Sequence, residues 1–487
     1  MSKLLIKQGN HQNFIVDYRE DNLLEVLRAY GYVLSANCGG RGQCKKCLVE
    51  VNGIKQLACE TQINDGMIIE LPDLEETTRE DFTPVNHHPY DVAFDIGTTT
   101  LAGYLIDGIT SQIVSQKSCL NPQISFGADV ISRIKQCQDG HLVLLHQAII
   151  QAINHLIFKF LDDQIPQKII ISGNTTMLHL LLGVDPSTMG KYPYQPCFLD
   201  SKHFDGEKYH LQTKEVVVLP SISSFIGADI VAGILAVQLL DRPDLTLFLD
   251  LGTNGEMVLK ASGKLLATST AAGPAFEGTN IEKGMGGIKG AISQVAYDQE
   301  IKVKTIAGFP EGICGSGLID IIAILIKEGL IDESGKFVDK NTSPLSSRLK
   351  QTRFYITDEI YISQKDVREF QLAKSAIISG MQVLLDQVAK SFLDVVKVYV
   401  AGGFGFHMNI QSALICGLFP KQLAGKIIPV GNTGGLGSVL VATNPTLLDE
   451  CNYIVNHVQV IDLNKEKAFN DYFINNISFY NDEGDSK

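Results

Sequence analysis

Ten cysteines occur in this 487-residue chain, and four of them fall between positions 38 and 59. The segment reads Cys38-Gly39-Gly40-Arg41-Gly42-Gln43-Cys44-Lys45-Lys46-Cys47, and Cys59 follows on a separate loop, a C-x5-C-x2-C-x11-C spacing. Thiolates in such density bind iron–sulfur clusters or zinc. The glycines have a physical role here, because a loop that wraps around sulfide must turn its backbone N–H groups inward. That needs positive φ and no Cβ in the way. Those N–H···S bonds help set a cluster's potential. Zinc ribbons pair two C-x2-C knuckles, and only Cys44–Cys47 forms one here. A structural disulfide is disfavoured in a reducing compartment. The spacing therefore favours a [2Fe–2S] cluster on Cys38, Cys44, Cys47 and Cys59. Cys119, Cys137, Cys197, Cys314, Cys416 and Cys451 are scattered and read as small core residues, with Cys314 set beside Gly315-Ser316-Gly317.

Plant-type [2Fe–2S] ferredoxins hold their cluster in a similar way, with x4 rather than x5 as the first spacing. The surrounding elements suit that comparison. Lys3–Lys7 and Asn13–Tyr18 read as strands. Asp21 opens a helix with Leu23, Leu24, Leu27 and Tyr30 at helical spacing, ended by Gly31. Strands follow at Cys47–Val51 and Met67–Leu71, with a turn at Asn52-Gly53. Residues 1–72 are thus expected to form an α+β, β-grasp domain. Residues 73–89 are acidic and carry Pro84 and Pro89, and they read as a linker.

Beyond residue 90 a second chemistry appears, twice. Asp95-Ile-Gly97-Thr98-Thr99-Thr100 ends one apolar strand, and Asp250-Leu-Gly252-Thr253-Asn254-Gly255 ends another, 155 positions later. Each puts a carboxylate at a strand end, followed by a hairpin rich in N–H and hydroxyl donors. Phosphate oxygens need such donors, and Mg2+ takes one or two carboxylates while keeping several waters. A glycine-marked turn closes a later buried strand in each half: Gly173-Asn174-Thr175-Thr176 after Lys168–Ser172, and Gly402-Gly403-Phe404-Gly405 after Val396–Val400. Helices are expected near Asp129–Cys137, His146–Leu161, Leu318–Lys327 and Lys365–Leu393. The repeat predicts a duplicated α/β domain over 90–487, with lobes of about 90–240 and 241–487 and a cleft between them.

Composition narrows the function. The chain carries 41 Lys+Arg against 54 Asp+Glu, a net charge of −13, which argues against phosphate-backbone binding to nucleic acid. No signal peptide and no apolar run of spanning length is seen, so no membrane partner is expected and the protein reads as cytoplasmic.

The paired Asp-Gly-Thr loops with the late Gly-Gly resemble the actin / sugar-kinase / Hsp70 (ASKHA, ribonuclease H-like) superfamily. Joined to the cysteine loop, they resemble the ferredoxin-plus-ATPase reductive activators of corrinoid-dependent methyltransferases. The resemblance runs through Cys38–Cys59, Asp95–Thr100, Gly173–Met177, Asp250–Glu256, Ala272–Gly278, Gly315-Ser316-Gly317 and Ala401–Gly405. It implies an ATP-dependent electron-transfer activase that returns an inactive Co(II) corrinoid protein to Co(I). Implied roles are Asp95 and Asp250 placing Mg2+ as catalytic residues. Gly97, Thr98, Thr99, Asn174, Gly252, Thr253 and Asn254 would meet phosphates, and Gly402, Gly403, Gly273 and Glu277 the adenosine side. A low-potential donor and a homodimer are implied as well. One departure is expected: the extra middle domain of some activators is replaced by the short linker. Asp129 and Asp229, each in a Gly-Ala-Asp triplet, are base candidates for a small-molecule kinase on residue type alone. A redox-sensing ATP switch and a radical-dehydratase activator compete with the same motifs.

Overall fold

The computed structural model describes residues 3–8, 11–16, 18, 20–36, 38–71, 77–79, 82–278, 280–338, 343–402 and 408–479. The chain divides into two compact units, residues 1–229 with 438–448, and residues 230–437 with 449–487.

The first unit begins with a small mixed sheet. Its strands are β1 (Lys3–Gln8), β2 (His11–Val16), β3 (Leu48–Val51), β4 (Ile54–Leu57) and β5 (Ile68–Leu71), in the order β2-β1-β5-β3-β4. β1 is parallel to β5, and the other pairs are antiparallel. Helix α1 (Leu23–Ala29) packs on it. Its start is set by Asn22, one residue after the Asp21 expected from sequence, because the Asn22 side chain accepts from Leu24 N at 3.0 Å. Leu23, Leu24, Val26 and Leu27 meet Leu4, Ile6, Ile15, Val49, Val51 and Ile69 in a core of their own. Strand β4 is not legible in the sequence, since Ile54-Lys-Gln-Leu57 is half polar and lies at the sheet edge.

The second sheet of this unit contains β6 (Thr77–Arg79), β7 (Tyr90–Ile96), β8 (Thr100–Asp107), β9 (Ile113–Leu120), β10 (Lys168–Gly173), β11 (Lys202–Phe204) and β12 (Glu215–Val218). The order is β11-β12-β10-β7-β8-β9-β6. Within the segment read as a linker, Thr77–Arg79 pairs antiparallel with Gln116–Ser118 of β9. Helices α2 (Val130–Gln136), α3 (Leu142–Leu161) and α4 (Thr175–Leu181) cover the sheet, and α5 (Ala228–Ala236) crosses the boundary between units. Together α2 and α3 are long and apolar enough to cross a membrane by length and composition, although the span is interrupted by Arg133, Lys135, Asp139 and Lys159. However, α3 buries a single stripe, Leu145, Ile149, Ile153, Leu156, Ile157 and Phe160, and leaves Gln151, His155 and Lys159 exposed, as a helix on a protein core does.

The second unit repeats the plan. Strands β13 (Thr246–Leu251), β14 (Gly255–Ala261), β15 (Lys264–Thr270), β22 (Lys397–Ala401), β23 (Ile427–Gly431) and β24 (Val458–Val460) form a sheet in the order β23-β22-β13-β14-β15-β24. Between β15 and β22 come the sheet of β16 (Ala291–Asp298), β17 (Glu300–Thr305) and β18 (Gly312–Ile313), helix α6 (Gly315–Lys327), the sheet of β19 (Leu349–Lys350), β20 (Arg353–Tyr355) and β21 (Tyr361–Ser363), and helix α7 (Gln364–Asp386). Helices α8 (Ile410–Ile415), α9 (Thr433–Thr443), α10 (Leu447–His457) and α11 (Lys467–Asn475) follow, α9 and α10 crossing the unit boundary. Helix α7 stops at Asp386, short of the expected Leu393. Ala389 turns to φ 52° and Lys390 N bonds back to Leu385 O at 3.0 Å, a left-handed C-terminal cap.

In each unit a three-strand antiparallel meander is followed by two parallel strands on the far side of its first strand: β9-β8-β7-β10-β12 and β15-β14-β13-β22-β23. The match extends to single residues. A Cβ on Gly173 would lie 2.6 Å from Ile96 O, and one on Gly402 would lie 2.4 Å from Leu251 O. Ile96 and Leu251 directly follow the strand-end aspartates of the two repeats, Asp95 and Asp250. Both glycines have positive φ, 157° and 101°, so only glycine fits where the fourth strand leaves the sheet.

Candidate functional site

The cysteine loop leaves α1 and returns through β3. Gly39, Gly40 and Gly42 take φ of 68°, 95° and 71°, as the wrapping of sulfur by backbone requires. The N–H groups of Cys44, Gln43 and Gly40 point at the Cys38 sulfur. Those of Lys46 and Cys38 point at Cys44, and that of Gly42 at Cys59. Cys38 and Cys44 act on one another, as do Cys47 and Cys59. Ala58 N on Cys47 O at 2.9 Å and Asn22 Nδ2 on Cys59 O at 2.9 Å hold the fourth cysteine against the third. Burial opposes ionisation of Cys38, but the converging N–H groups outweigh it and bring its pKa down to about 7. Burial pushes Cys59 up to about 11, helped by the Cys47 thiol.

Two pairs suit a dinuclear cluster with two thiolates per iron. A single tetrahedral ion would need all four around one point. Among the described residues no three His, Cys, Asp or Glu side chains converge on one metal-ion position.

In the first unit, Asp95 is half-buried at the end of β7, opposite Ser172 of β10 and Ala102 of β8. The Gly97–Thr99 turn is held from outside. Gly97 N reaches Thr100 O at 3.0 Å, Asn121 Nδ2 reaches Gly97 O at 2.8 Å, and Asn121 N reaches Thr99 O at 2.8 Å. The fully buried Arg133 of α2 donates to Thr98 O and, at 3.0 Å, to Gly127 O. Sequence reasoning misses both Asn121 and Arg133, because no local pattern marks a buried arginine as the support of a loop 35 residues away. Asn174 caps α4 through Thr176 N at 3.0 Å. Asp129 is spent on a cap as well: Ser132 N and Oγ occupy its two oxygens at 2.8 and 2.7 Å. It is the N-cap of α2. Asp229 lies in the first turn of α5.

In the second unit, Asp250 lies opposite Ala401 of β22 and Glu256 of β14. Gly252 N closes on Asn254 O at 2.9 Å. The structure brings Glu277 to this loop: Thr253 Oγ1 donates to Glu277 Oε2 at 2.5 Å. Gly273 sits at φ 77° just ahead of it. Gly402 follows β22, and Gly403, Phe404 and Gly405 lie outside the described residues. Cys314 is a core residue, its thiol donating to Ile292 O at 3.3 Å. Cys137, Cys416 and Cys451 are also buried, each pushed by burial to about 12. Cys197 departs from the expectation and is exposed.

Residues 244–486 match the model for the C-terminal domain of RACo, the ASKHA domain, and residues 90–242 match that for the RACo middle region. The second match falls on the segment expected to be the first ATPase lobe. The chain is 30% identical to the corrinoid activation enzyme RamQ of Eubacterium limosum, over 95% of this chain and 97% of that protein. It is 26% identical to the [Co(II) methylated amine-specific corrinoid protein] reductase of Methanosarcina barkeri, over 80% and 77%. A solved structure of a reductive activator for corrinoid, iron–sulfur protein is 27% identical, with a TM-score of 0.74 over 98% of both chains. With its cysteine loop, its duplicated sheets and full-length similarity to such activators, the chain belongs to the RACo family of corrinoid-protein reductive activators.

Proposed function

We propose that the protein restores an inactivated corrinoid protein by delivering one electron to its Co(II), giving Co(I), at the expense of ATP. The observation that carries this reading is a glycine-turned loop bearing Cys38, Cys44 and Cys47 with Cys59 held against it from a second loop, in a chain whose relatives are corrinoid activators. Cys38, Cys44, Cys47 and Cys59 would hold a [2Fe–2S] cluster on a β-grasp, ferredoxin-like domain. When bound, that cluster supplies a single low-potential electron. Asp95 and Asp250 would place Mg2+, with the Gly97–Thr99 and Gly252–Asn254 turns on phosphates. Gly402, Gly403, Gly273 and Glu277 would line the adenosine side, and Asn174, the cap of α4, would join the first turn on the phosphates.

Reduction of Co(II) is uphill for an ordinary donor. ATP can drive it only through a difference in affinity between two protein states. The turns that would hold the nucleotide are each tied by hydrogen bonds to a support, the buried Arg133 in one unit and Glu277 in the other. A low-potential donor, a homodimeric state and a cytoplasmic setting complete the proposal. The test mixes the cluster-loaded protein, a reductant and Mg-ATP with a Co(II) corrinoid protein and follows the Co(I) absorption band. ATP-dependent growth of that band is expected. Its absence with a reduced cluster would overturn the proposal, and phosphate transfer to an added small molecule would favour a kinase instead.

A further inference from the structure

The cysteine loop is seated on Ser125, Phe126 and Gln136 of its own unit, and a buried arginine lies between them. Arg28, at the C-terminal end of α1, is 4% exposed. Its Nε donates to Ser125 O at 2.8 Å, its Nη2 donates to the same oxygen, and its guanidinium lies 4.8 Å from the centre of the Phe126 ring. The loop closes over the other side. A Cβ on Gly40 would lie 3.7 and 3.8 Å from the two Nη atoms, and one on Gly39 would lie 3.2 Å from Phe126 O. Leu34 N donates to Ser125 Oγ at 2.9 Å and Gln136 Nε2 to Gly39 O at 3.4 Å, fixing the loop on the same support. Gly40, two residues after Cys38, thus brings the guanidinium directly behind the cysteine loop. One carboxylate offsets the Arg28 charge: Glu25 Oε1 lies 2.6 Å from Nη1, but its side chain is 34% exposed against 1% for Arg28. His141 stands 3.6 Å from the other Glu25 oxygen.

A positive charge held out of water acts strongly on a neighbouring charge, whereas an exposed one is screened. A cluster gains one negative charge on reduction, so a cation beside it favours the reduced form, and net charge and hydrogen bonding are the levers on cluster potential. We infer that Arg28 is a potential-setting residue: held dehydrated against the cysteine loop by the Ser125 carbonyl and the Phe126 ring, its charge stabilises the reduced cluster. This rests on the proposed [2Fe–2S] assignment. The residue is a positioning group for charge, and it takes no part in ligation. Its effect opposes that of Glu25, so the two residues must shift the potential in opposite directions.

The test is an EPR-monitored redox titration of the full, cluster-loaded chain and of the variants Arg28→Gln, Arg28→Lys and Glu25→Gln. In Arg28→Gln the reduction equilibrium is expected to move at least tenfold toward the oxidised cluster, which for one electron is about 59 mV more negative. Arg28→Lys keeps the charge and is expected to stay nearer to the wild type, and Glu25→Gln is expected to move to more positive potential. An unchanged midpoint in Arg28→Gln would overturn the inference. If that variant fails to assemble its cluster, an unchanged or more negative midpoint in Glu25→Gln would do so. A wild-type protein giving no signal of a reduced [2Fe–2S] centre would instead overturn the cluster assignment itself, and the two failures are thereby distinguished.

Discussion

Four thiols on two loops give this chain its most distinctive chemistry, and each has a named support. Replacing Cys44 by Ala removes one thiol of the Cys38–Cys44 pair and is expected to abolish the visible absorption of the cluster. ATP binding, followed by calorimetry, is expected to persist, because the N-terminal sheet closes around its own core of Leu4, Leu23, Leu27 and Ile69. Joint loss of cluster and ATP binding would contradict that independence. At the second aspartate loop, Asp250→Asn keeps shape and removes charge. It is expected to weaken Mg-ATP binding at least tenfold, about 1.4 kcal/mol. Asp129 shows how residue type alone misleads. Its Gly-Ala-Asp setting resembles that of Asp229, yet both of its oxygens serve Ser132 at the start of α2.

At the scale of elements, α2 and α7 carry testable energetics. Arg133 projects from α2 and is fully buried, with bonds to Thr98 O and Gly127 O. Arg133→Ala leaves those carbonyls without a donor, and hydrogen bonds from a charged group contribute about 1.5–3 kcal/mol each. A loss of roughly 3 kcal/mol in chemical denaturation is expected, whereas Lys135→Ala on the exposed face of the same helix should stay within about 0.5 kcal/mol. On α7, Lys374 is 2% exposed and donates to Asn476 O and Ser478 O at 2.7 Å each, clasping the segment after α11. Burial lowers its pKa to about 8. A base depressed in the folded state binds fewer protons there than when unfolded, so stability rises with pH between about 8 and the ordinary lysine value of about 10.4. Relative to Lys374→Met, the wild type should therefore gain up to about 3 kcal/mol across that interval. A constant difference in unfolding free energy between the two proteins from about pH 7 to 10 would contradict this.

At the scale of the whole molecule, duplication is the governing fact. Both large sheets run a meander of three strands and then two parallel ones, and both turn on a glycine where a Cβ would strike the residue after the aspartate. Nucleotide held by the native chain and not by the unfolded one must stabilise it: at a hundredfold excess over Kd the gain is about 2.7 kcal/mol. Thermal unfolding with and without Mg-ATP checks this, and the shift should survive Cys44→Ala and shrink sharply in Asp250→Asn. Much of this plan is legible in the order of strands and glycines. The edge pieces are not: β4 and β6 are short and largely polar, and such strands are defined by the neighbour they pair with rather than by an apolar period of their own.

The sequence by itself determined the candidate ligand set and the repeat, because thiol spacing, strand-end aspartates and glycine turns are local and carry their chemistry in the residue types. Only the tertiary structure decided which side chains support them. It assigned Arg133 to the Thr98 carbonyl, Glu277 to Thr253, Asp129 to a helix cap and Arg28 to the seat of the cysteine loop. Those pairings span up to 97 residues, and folding selects them by burying each polar group where a partner waits, a condition that no local pattern records.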